Sequence, residues 1–141
     1  MLRGRLELLL DGRLISISGG PFDAKPEGAR GLCLEARAAR VAEAEWRLDV
    51  PDYGVPDEAG LRAILAQMLE AMRTAPNDAY HIGCKAGVGR TGTVMACLAM
   101  MAGAVEGDPV AWLRAAYFQG AIETPGQEAF VRGFTLERLA P

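Results

Sequence analysis

Residues 79–102 read AYHIGCKAGVGRTGTVMACLAMMA, and they place a short apolar stretch, a glycine-rich loop and a long apolar stretch in direct succession. Residues 79–83 are short and apolar enough for the central strand of a sheet. Small residues at 86, 87 and 89 allow the backbone to turn tightly. The nearly continuous apolar residues from about Thr91 to Ala102 predict a buried helix. The segment therefore predicts a strand–loop–helix unit of an α/β fold.

The rest of the chain predicts strands before this unit and helices after it. Asp11-Gly12 supplies the tight turn of a β-hairpin between Arg3–Leu10 and Arg13–Ser18, where Gly19-Gly20-Pro21 ends the second strand. Short strands are expected at 31–34 and 46–48, and helices after the capping residues Asp57, Asp108 and Thr124. We expect a single three-layer α/β domain over residues 1–141, with a central mixed sheet of about four to five strands flanked by helices.

Composition limits the kinds of partner and compartment. The chain has 141 residues, 50% of them hydrophobic and 23% charged, with a net charge of -3. These values are typical of a soluble globular domain and disfavour nucleic acid or a membrane as partners. Three cysteines cannot all pair, and a single histidine leaves no zinc pattern. We expect a cytoplasmic protein with free thiols, in which Cys33 and Cys97 belong to the core and no metal is bound.

Two nucleotide-binding patterns overlap the glycine-rich loop. A nucleoside triphosphate loop needs Gly-Lys-Ser/Thr at its end, but Lys85 stands at the front of this loop. The glycines at 87, 89 and 92 match the dinucleotide spacing. That motif also requires a second parallel strand with an acidic residue about 20 residues on. Helical patterns follow instead, so the sequence disfavours both nucleotide sites.

A third pattern pairs Cys84 with Arg90, one on each side of Lys-Ala-Gly-Val-Gly. The spacing alone is weak, but its place between a strand and a helix gives it chemical meaning. Backbone N–H groups of a loop this small can curl into an anion-binding nest, and the positive end of the next helix points into it. Arg90 adds a planar fork for two phosphate oxygens. A thiol amid these donors should have a lowered pKa and attack a bound phosphate as thiolate.

The string CKAGVGRTG, residues 84–92, resembles the phosphate-binding loop of the cysteine-dependent protein tyrosine and dual-specificity phosphatases. This resemblance implies that Cys84 is the nucleophile, that Arg90 clamps the phosphate and stabilises the transition state, and that Thr91 helps the thiolate to leave. It implies no cofactor. The loop residues that would contact the phosphate are Lys85, Ala86, Gly87, Val88, Gly89 and Arg90.

Residues 50–56, VPDYGVP, resemble the mobile loop Trp-Pro-Asp-Phe-Gly-Val-Pro that delivers the general acid in the tyrosine phosphatases. The resemblance makes Asp52, 32 residues before Cys84, the proton donor to the leaving group. Tyr53 would line the substrate pocket or pack its own loop onto the domain. Asp49 is the second choice for the acid, and Asp57 is expected to cap a helix. Val50 replaces the Trp that anchors the loop hinge in the family.

Residues 122–130, IETPGQEAF, resemble the segment that follows the catalytic loop in the small dual-specificity-like members. Gln127 contacts the substrate site or serves the capping box that begins with Thr124, and the sequence leaves both roles open. The family usually has His directly before the nucleophile, where this chain has Gly83. His81 is therefore expected to be a strand residue with a structural hydrogen bond.

The resemblance implies a metal-independent phosphomonoester hydrolase acting through phosphocysteine on phosphotyrosine, and on phosphoserine or phosphothreonine, in proteins. Its expected partners are a phosphorylated protein or peptide and a phosphate or sulfate ion in the loop. Lys85 favours an alternative, a phosphoinositide or inositol-phosphate phosphatase, which Val88 and the acidic net charge disfavour. A pseudophosphatase that binds phosphorylated partners without turnover is the alternative from another class, kept open by Gly83 and Val50.

Overall fold

A five-stranded mixed sheet lies at the centre of the computed structural model, which describes residues 1–134. Its strand order is β1-β2-β5-β3-β4, in which β1 and β2 are antiparallel and the other neighbours are parallel. The predicted mixed sheet in an α/β fold is confirmed. The strands are β1 (Gly4–Leu10), β2 (Arg13–Pro21), β3 (Arg30–Cys33), β4 (Trp46–Arg47) and β5 (Tyr80–Cys84).

Four helices pack on one face of this sheet, and three of them begin directly after the predicted capping residues Asp57, Asp108 and Thr124. They are α1 (Glu58–Thr74), α2 (Gly89–Met101), α3 (Pro109–Ala116) and α4 (Pro125–Gly133). Asp57 and Asp108 accept hydrogen bonds from the amides of Gly60 and Ala111, at 2.8 and 3.0 Å. These contacts satisfy amides that lack a partner inside the helix. None of the helices within residues 1–134 is long and apolar enough to cross a membrane.

Side-chain alternation along β5 separates the two faces of the sheet. Tyr80, Ile82 and Cys84 belong to the apolar cluster that contains the buried residues of the helices. The other face carries His81, which packs against Phe22 of the segment that precedes β3. The third layer of the domain is formed by residues 22–29 and 34–45, on either side of β3, and its helical parts are two short 3-10 turns.

Two element boundaries differ by two or three residues from those expected from the sequence. Strand β2 continues through Gly19-Gly20 to Pro21, because residues 17–21 pair with the whole length of β5. Helix α2 begins at Gly89 rather than Thr91, so Arg90 lies in its first turn. Because of these shifts, β2 ends closer to Cys84 and α2 begins closer to it than expected. Because β2, β3 and β5 are parallel, their carboxyl ends meet at one edge of the sheet, where α/β proteins place their ligands.

Candidate active site

The Cys84 sulfur lies at the floor of a loop formed by residues 84–90, called here the catalytic loop. Its Sγ accepts hydrogen bonds from the Gly87 amide at 3.2 Å and from the Thr91 hydroxyl at 3.1 Å. Burial alone would raise the pKa of this thiol. The Thr91 hydroxyl, the amides of Thr91 and Gly87, and the charge of Arg90 together outweigh burial and lower its pKa. The thiolate is therefore stabilised where a phosphate would bind.

Glycines give the catalytic loop its shape. Gly87 has φ +80°, and a Cβ there would overlap the backbone of Gly20 at the end of β2. A Cβ at Gly89 would lie 2.5 Å from the Glu123 carboxylate and 3.0 Å from the Gln127 side chain. The backbone of Gly20 excludes any side chain at Gly87, whereas a side chain at Gly89 would require Glu123 and Gln127 to move.

The Tyr117 hydroxyl donates a 2.6 Å hydrogen bond to the Gly87 carbonyl from the C-terminal end of α3. The phenol is buried, which raises its pKa, so it remains a donor at neutral pH. Its ring occupies the space left by Gly4 and Gly19, where any Cβ would meet it. The sequence did not indicate this contact, because the loop and Tyr117 are 30 residues apart.

Arg90 is held by two acceptors that fix its side chain across the catalytic loop. Nη1 donates to the Glu35 carboxylate at 3.1 Å and to the Val50 carbonyl at 2.8 Å. The guanidinium is only 4% exposed. Nε and Nη2 form the opposite edge, and this edge can fork two phosphate oxygens.

Glu35 is a site residue that the sequence analysis missed. Hydrogen bonds from the Arg37 amide and side chain, together with Arg90, lower the pKa of its carboxyl to about 2. It is therefore a fixed negative charge behind Arg90 at neutral pH. The available signal was its position directly after the buried strand β3, at the edge where parallel strands end.

Asp52 stands opposite the catalytic loop, as the resemblance implied for a general acid. Its Oδ1 lies 3.4 Å from Nη2 of Arg90, and its side chain is 48% exposed. Val50 anchors this loop without the family tryptophan, since its amide donates to Leu34 and its carbonyl accepts from Arg90. Asp49 lies on the same loop beside the neighbouring cavity and lines no part of the Cys84 cavity.

Gln127 forms the capping box with Thr124, which confirms that half of the open prediction. Its Oε1 accepts from the amides of Glu123 and Thr124, and its Nε2 donates to the Gly54 carbonyl at 3.1 Å. The side chain thus ties the acid-bearing loop to α4. Its substrate-binding role stays a prediction, although Gln127 does lie against Gly89 of the catalytic loop.

His81 is a structural strand residue, as expected. It is fully buried, 2.8 Å from the Ser18 hydroxyl and 3.2 Å from the Pro21 carbonyl. Burial lowers its pKa to about 4, so it is neutral at pH 7. Gly83 replaces the usual family histidine for a steric reason: a Cβ there would lie 2.6 Å from the Phe22 backbone.

The mouth of the site is a cavity of about 390 Å³ that contains Cys84 and Arg90 at its base. Tyr53, at φ +61° and 63% exposed, forms part of its rim. Lys85 and Ala86 line the opposite part of the rim and are exposed. Cys33 and Cys97 are buried elsewhere, and burial raises the pKa of both thiols. Seven of the predicted site residues line this cavity: Asp52, Tyr53, Cys84, Lys85, Ala86, Gly89 and Arg90.

The structure has a five-stranded mixed sheet with a thiolate-stabilising loop after its central strand. An arginine and an aspartate face that loop. These features together define the class of cysteine-dependent phosphatases. The family model for the PTP-SAK group, described as a Swiss Army Knife protein with a DSP-PTPase phosphatase domain, matches residues 35–131. The chain belongs to this family, whose domain is of the tyrosine and dual-specificity phosphatase type.

One curated relative from Methanocaldococcus jannaschii, named only as an uncharacterised protein, is 33% identical over 90 residues. The match covers 64% of this chain and 58% of that protein, so the chain spans less than two thirds of the relative's length. The name of this relative gives no activity.

Several solved structures share the fold. A kinase associated phosphatase with its catalytic cysteine replaced by serine superposes with a TM-score of 0.74 at 16% identity, covering 100% of this chain and 97% of that one. Tk-PTP in its active form gives 0.67 at 22% identity, covering 88% and 92%. PTPMT1 in complex with PI(5)P gives 0.60 at 19% identity, covering 84% and 88%.

Proposed function

We propose that this phosphatase hydrolyses phosphotyrosine, together with phosphoserine and phosphothreonine, in proteins through a phosphocysteine intermediate. The observation that carries the proposal is the convergence on one cavity of the Cys84 sulfur, the Nε and Nη2 edge of Arg90 and the Asp52 carboxyl. Nucleophile, electrophilic clamp and acid are the three groups that such a reaction needs.

In the first step, the substrate phosphate lies in the catalytic loop with phosphorus above the Cys84 thiolate. The sulfur forms a bond to phosphorus while the bond from phosphorus to the ester oxygen breaks, and protonated Asp52 gives its proton to that oxygen. The alcohol leaves, and Asp52 is left as a carboxylate. Arg90 stabilises the charge on the equatorial oxygens through its Nε and Nη2 edge.

In the second step, the Asp52 carboxylate takes a proton from a water molecule as the water oxygen bonds to phosphorus. The bond between phosphorus and sulfur breaks, and the sulfur leaves as a thiolate. The Thr91 hydroxyl, 3.1 Å from Sγ, stabilises that charge by hydrogen bonding. Inorganic phosphate is released and Asp52 is protonated again, ready for another turnover.

The aromatic rim supports phosphotyrosine as the first substrate class. Tyr53 offers an exposed ring at the mouth, against which a substrate ring can pack. Lys85 favours a second candidate, an inositol phosphate, because its exposed ammonium lies on the opposite rim. PTPMT1, which shares the fold, is seen in complex with PI(5)P. A panel of phosphopeptides and inositol phosphates separates the two.

The proposal is tested with p-nitrophenyl phosphate in the presence of EDTA. We expect the wild-type protein to release phosphate, Cys84→Ser to release none, and the matched variant Cys97→Ser to retain activity. We expect Asp52→Asn to lower kcat by ~10²–10⁴-fold for leaving groups of high pKa and less for p-nitrophenol. Turnover that survives Cys84→Ser would overturn the mechanism. Binding of a phosphopeptide without phosphate release would identify a pseudophosphatase instead.

A further inference from the structure

The active-site cavity carries more positive charge at its rim than one phosphate requires. Arg90 at its base already provides the clamp for the phosphate that is cleaved. Arg3 and Lys85 lie on the rim beside Ala86, and Asp52 and Glu123 line the cavity near the other end of the catalytic loop. The rim is therefore divided, with cations beside the start of the loop and carboxylates beside its end.

Arg3 is held in place by contacts that leave its charge unneutralised. Its amide donates to the Gly19 carbonyl at 2.8 Å, and its Nε donates to the Ala86 carbonyl at 3.0 Å. The guanidinium also lies over the Phe118 ring, 5.8 Å from the centroid. Within residues 1–134, Nη1 and Nη2 have no hydrogen-bond partner and the side chain makes no ion pair. The fork is thus preorganised, with its terminal nitrogens available.

Lys85 adds a second cation on the same rim. Its side chain is exposed, and no carboxylate of the described residues lies within salt-bridge distance of its ammonium. A phosphate monoester carries about two negative charges at pH 7, whereas a carboxylate carries one. Two unneutralised cations therefore match a phosphate better than a carboxylate.

We infer that Arg3 and Lys85 bind a second phosphate group of the substrate, beside the phosphate that Cys84 attacks. The inference rests on the phosphatase activity proposed above and narrows its substrate to a molecule with two neighbouring phosphates. Such a pair occurs on adjacent phosphorylated residues of a peptide and on adjacent hydroxyls of an inositol. The bonding to the second phosphate is the same in both sources.

Binding can be measured without turnover by calorimetry on the Cys84→Ser protein. One ligand pair is a phosphotyrosine peptide with and without an adjacent phosphothreonine, and the other is a vicinal inositol bisphosphate and its monophosphate. We expect one pair to show a preference of at least tenfold for the doubly phosphorylated member. The pair that shows it identifies the source of the second phosphate.

The added substitution Arg3→Gln should lower this preference about tenfold, and Lys85→Gln should lower it as well. Arg5→Gln is the matched control, because it removes an equal charge from β1 where Arg5 contacts Ser16 outside the cavity. A structural role for Arg3 would weaken both members of a pair equally. The absence of a preference in both pairs, or a preference that Arg3→Gln leaves unchanged, overturns the inference. Loss of hydrolysis in the wild-type protein would contradict the proposed function and leave these binding results valid.

Discussion

Cys84 and Cys97 lie 13 residues apart in the sequence, and their surroundings move their thiol pKa values in opposite directions. Both are buried. Cys97 packs among apolar side chains, where the loss of water raises its pKa and outweighs the opposing charge of Arg62. Cys84 receives hydrogen bonds from Gly87 and Thr91, which stabilise its ionised form. The hydrogen bonds of the loop, and not burial, therefore lower the thiol pKa of Cys84.

Glu35 fixes the position of the Arg90 guanidinium, the group that is proposed to bind the phosphate. Its carboxylate accepts from Nη1, so the substitution Glu35→Gln removes the charge that holds the guanidinium in position. We expect Glu35→Gln to weaken binding of inorganic phosphate about tenfold, the usual scale for a lost charge-assisted hydrogen bond. Isothermal titration calorimetry measures this loss directly.

The control for that substitution is Glu45→Gln, which removes a carboxylate from an ion pair with Arg30 away from the cavity. Phosphate affinity should be unchanged in the control. An equal loss in both variants, or no loss in Glu35→Gln, would show that Glu35 does not position Arg90.

At the scale of elements, the catalytic loop depends on α3 as much as on the strand and helix that it joins. The carbonyl and the following amide of a peptide unit point in opposite directions. Because the Gly87 carbonyl accepts from the Tyr117 hydroxyl, the Val88 amide of the same peptide unit points away from Tyr117. A side chain 30 residues further along the chain, at the end of α3, thus helps to fix the orientation of a loop amide.

The substitution Tyr117→Phe tests this dependence, since it keeps the ring and removes the hydroxyl. We expect the pKa of the Cys84 thiol to rise and the affinity for inorganic phosphate to fall several-fold, because the loop amides lose their fixed orientation. The thiol pKa is read from the pH dependence of alkylation by iodoacetamide. Phosphate affinity is read from calorimetry on the same protein.

Tyr80→Phe is the matched control, because the Tyr80 hydroxyl donates to carbonyls of Ala71 and Ala75 at the end of α1. It should lower the free energy of unfolding by ~1 kcal/mol and leave the thiol pKa unchanged. If both variants lose stability and neither shifts the thiol titration, Tyr117 contributes to packing alone.

Most of the helices and strands could be predicted from local sequence patterns, because caps and turns depend on residues that are close together in the sequence. The Asp57 and Asp108 caps, the Thr124 capping box and the hairpin at Asp11-Gly12 all appear where expected. The contacts that complete the site join distant segments: Glu35 to Arg90, Tyr117 to Gly87, and Gln127 to Gly54. No periodicity encodes these contacts, because tertiary packing decides which loops meet at the sheet edge.

Across the whole molecule, the two faces of the sheet are stabilised in different ways. One face is apolar and covered by helices, whereas the other contains the buried polar residues His81 and Lys25. Lys25 donates to the Ala29 carbonyl at 2.9 Å, and His81 lies within hydrogen-bond distance of Ser18. A buried neutral histidine makes the stability of this face depend on pH.

The direction of that dependence follows from the lowered pKa of His81, about 4 in the folded protein against 6.5 for the free group. Between these values the unfolded chain binds a proton that the folded chain excludes, so stability falls as pH falls below 6.5. We expect a loss of ~1 kcal/mol or more per pH unit between pH 6.5 and 4.5. Urea denaturation at several pH values measures it.

His81→Gln should flatten this part of the stability profile, because it removes the only histidine in the chain. The carboxyl of Glu35, whose pKa is lowered from 4.5 to about 2, contributes mainly below about pH 5, so the upper part of the window reports His81. A profile that is flat in the wild-type protein, or unchanged in the variant, would contradict the assignment.

The covalent step at Cys84 is the central claim, and mass spectrometry of an acid-quenched reaction tests it most directly. After brief mixing with p-nitrophenyl phosphate, Asp52→Asn protein, in which hydrolysis of the intermediate is slowed, should carry one phosphoryl group on the peptide that contains Cys84. Phosphate release with no such adduct, or an adduct on a different residue, would contradict the account.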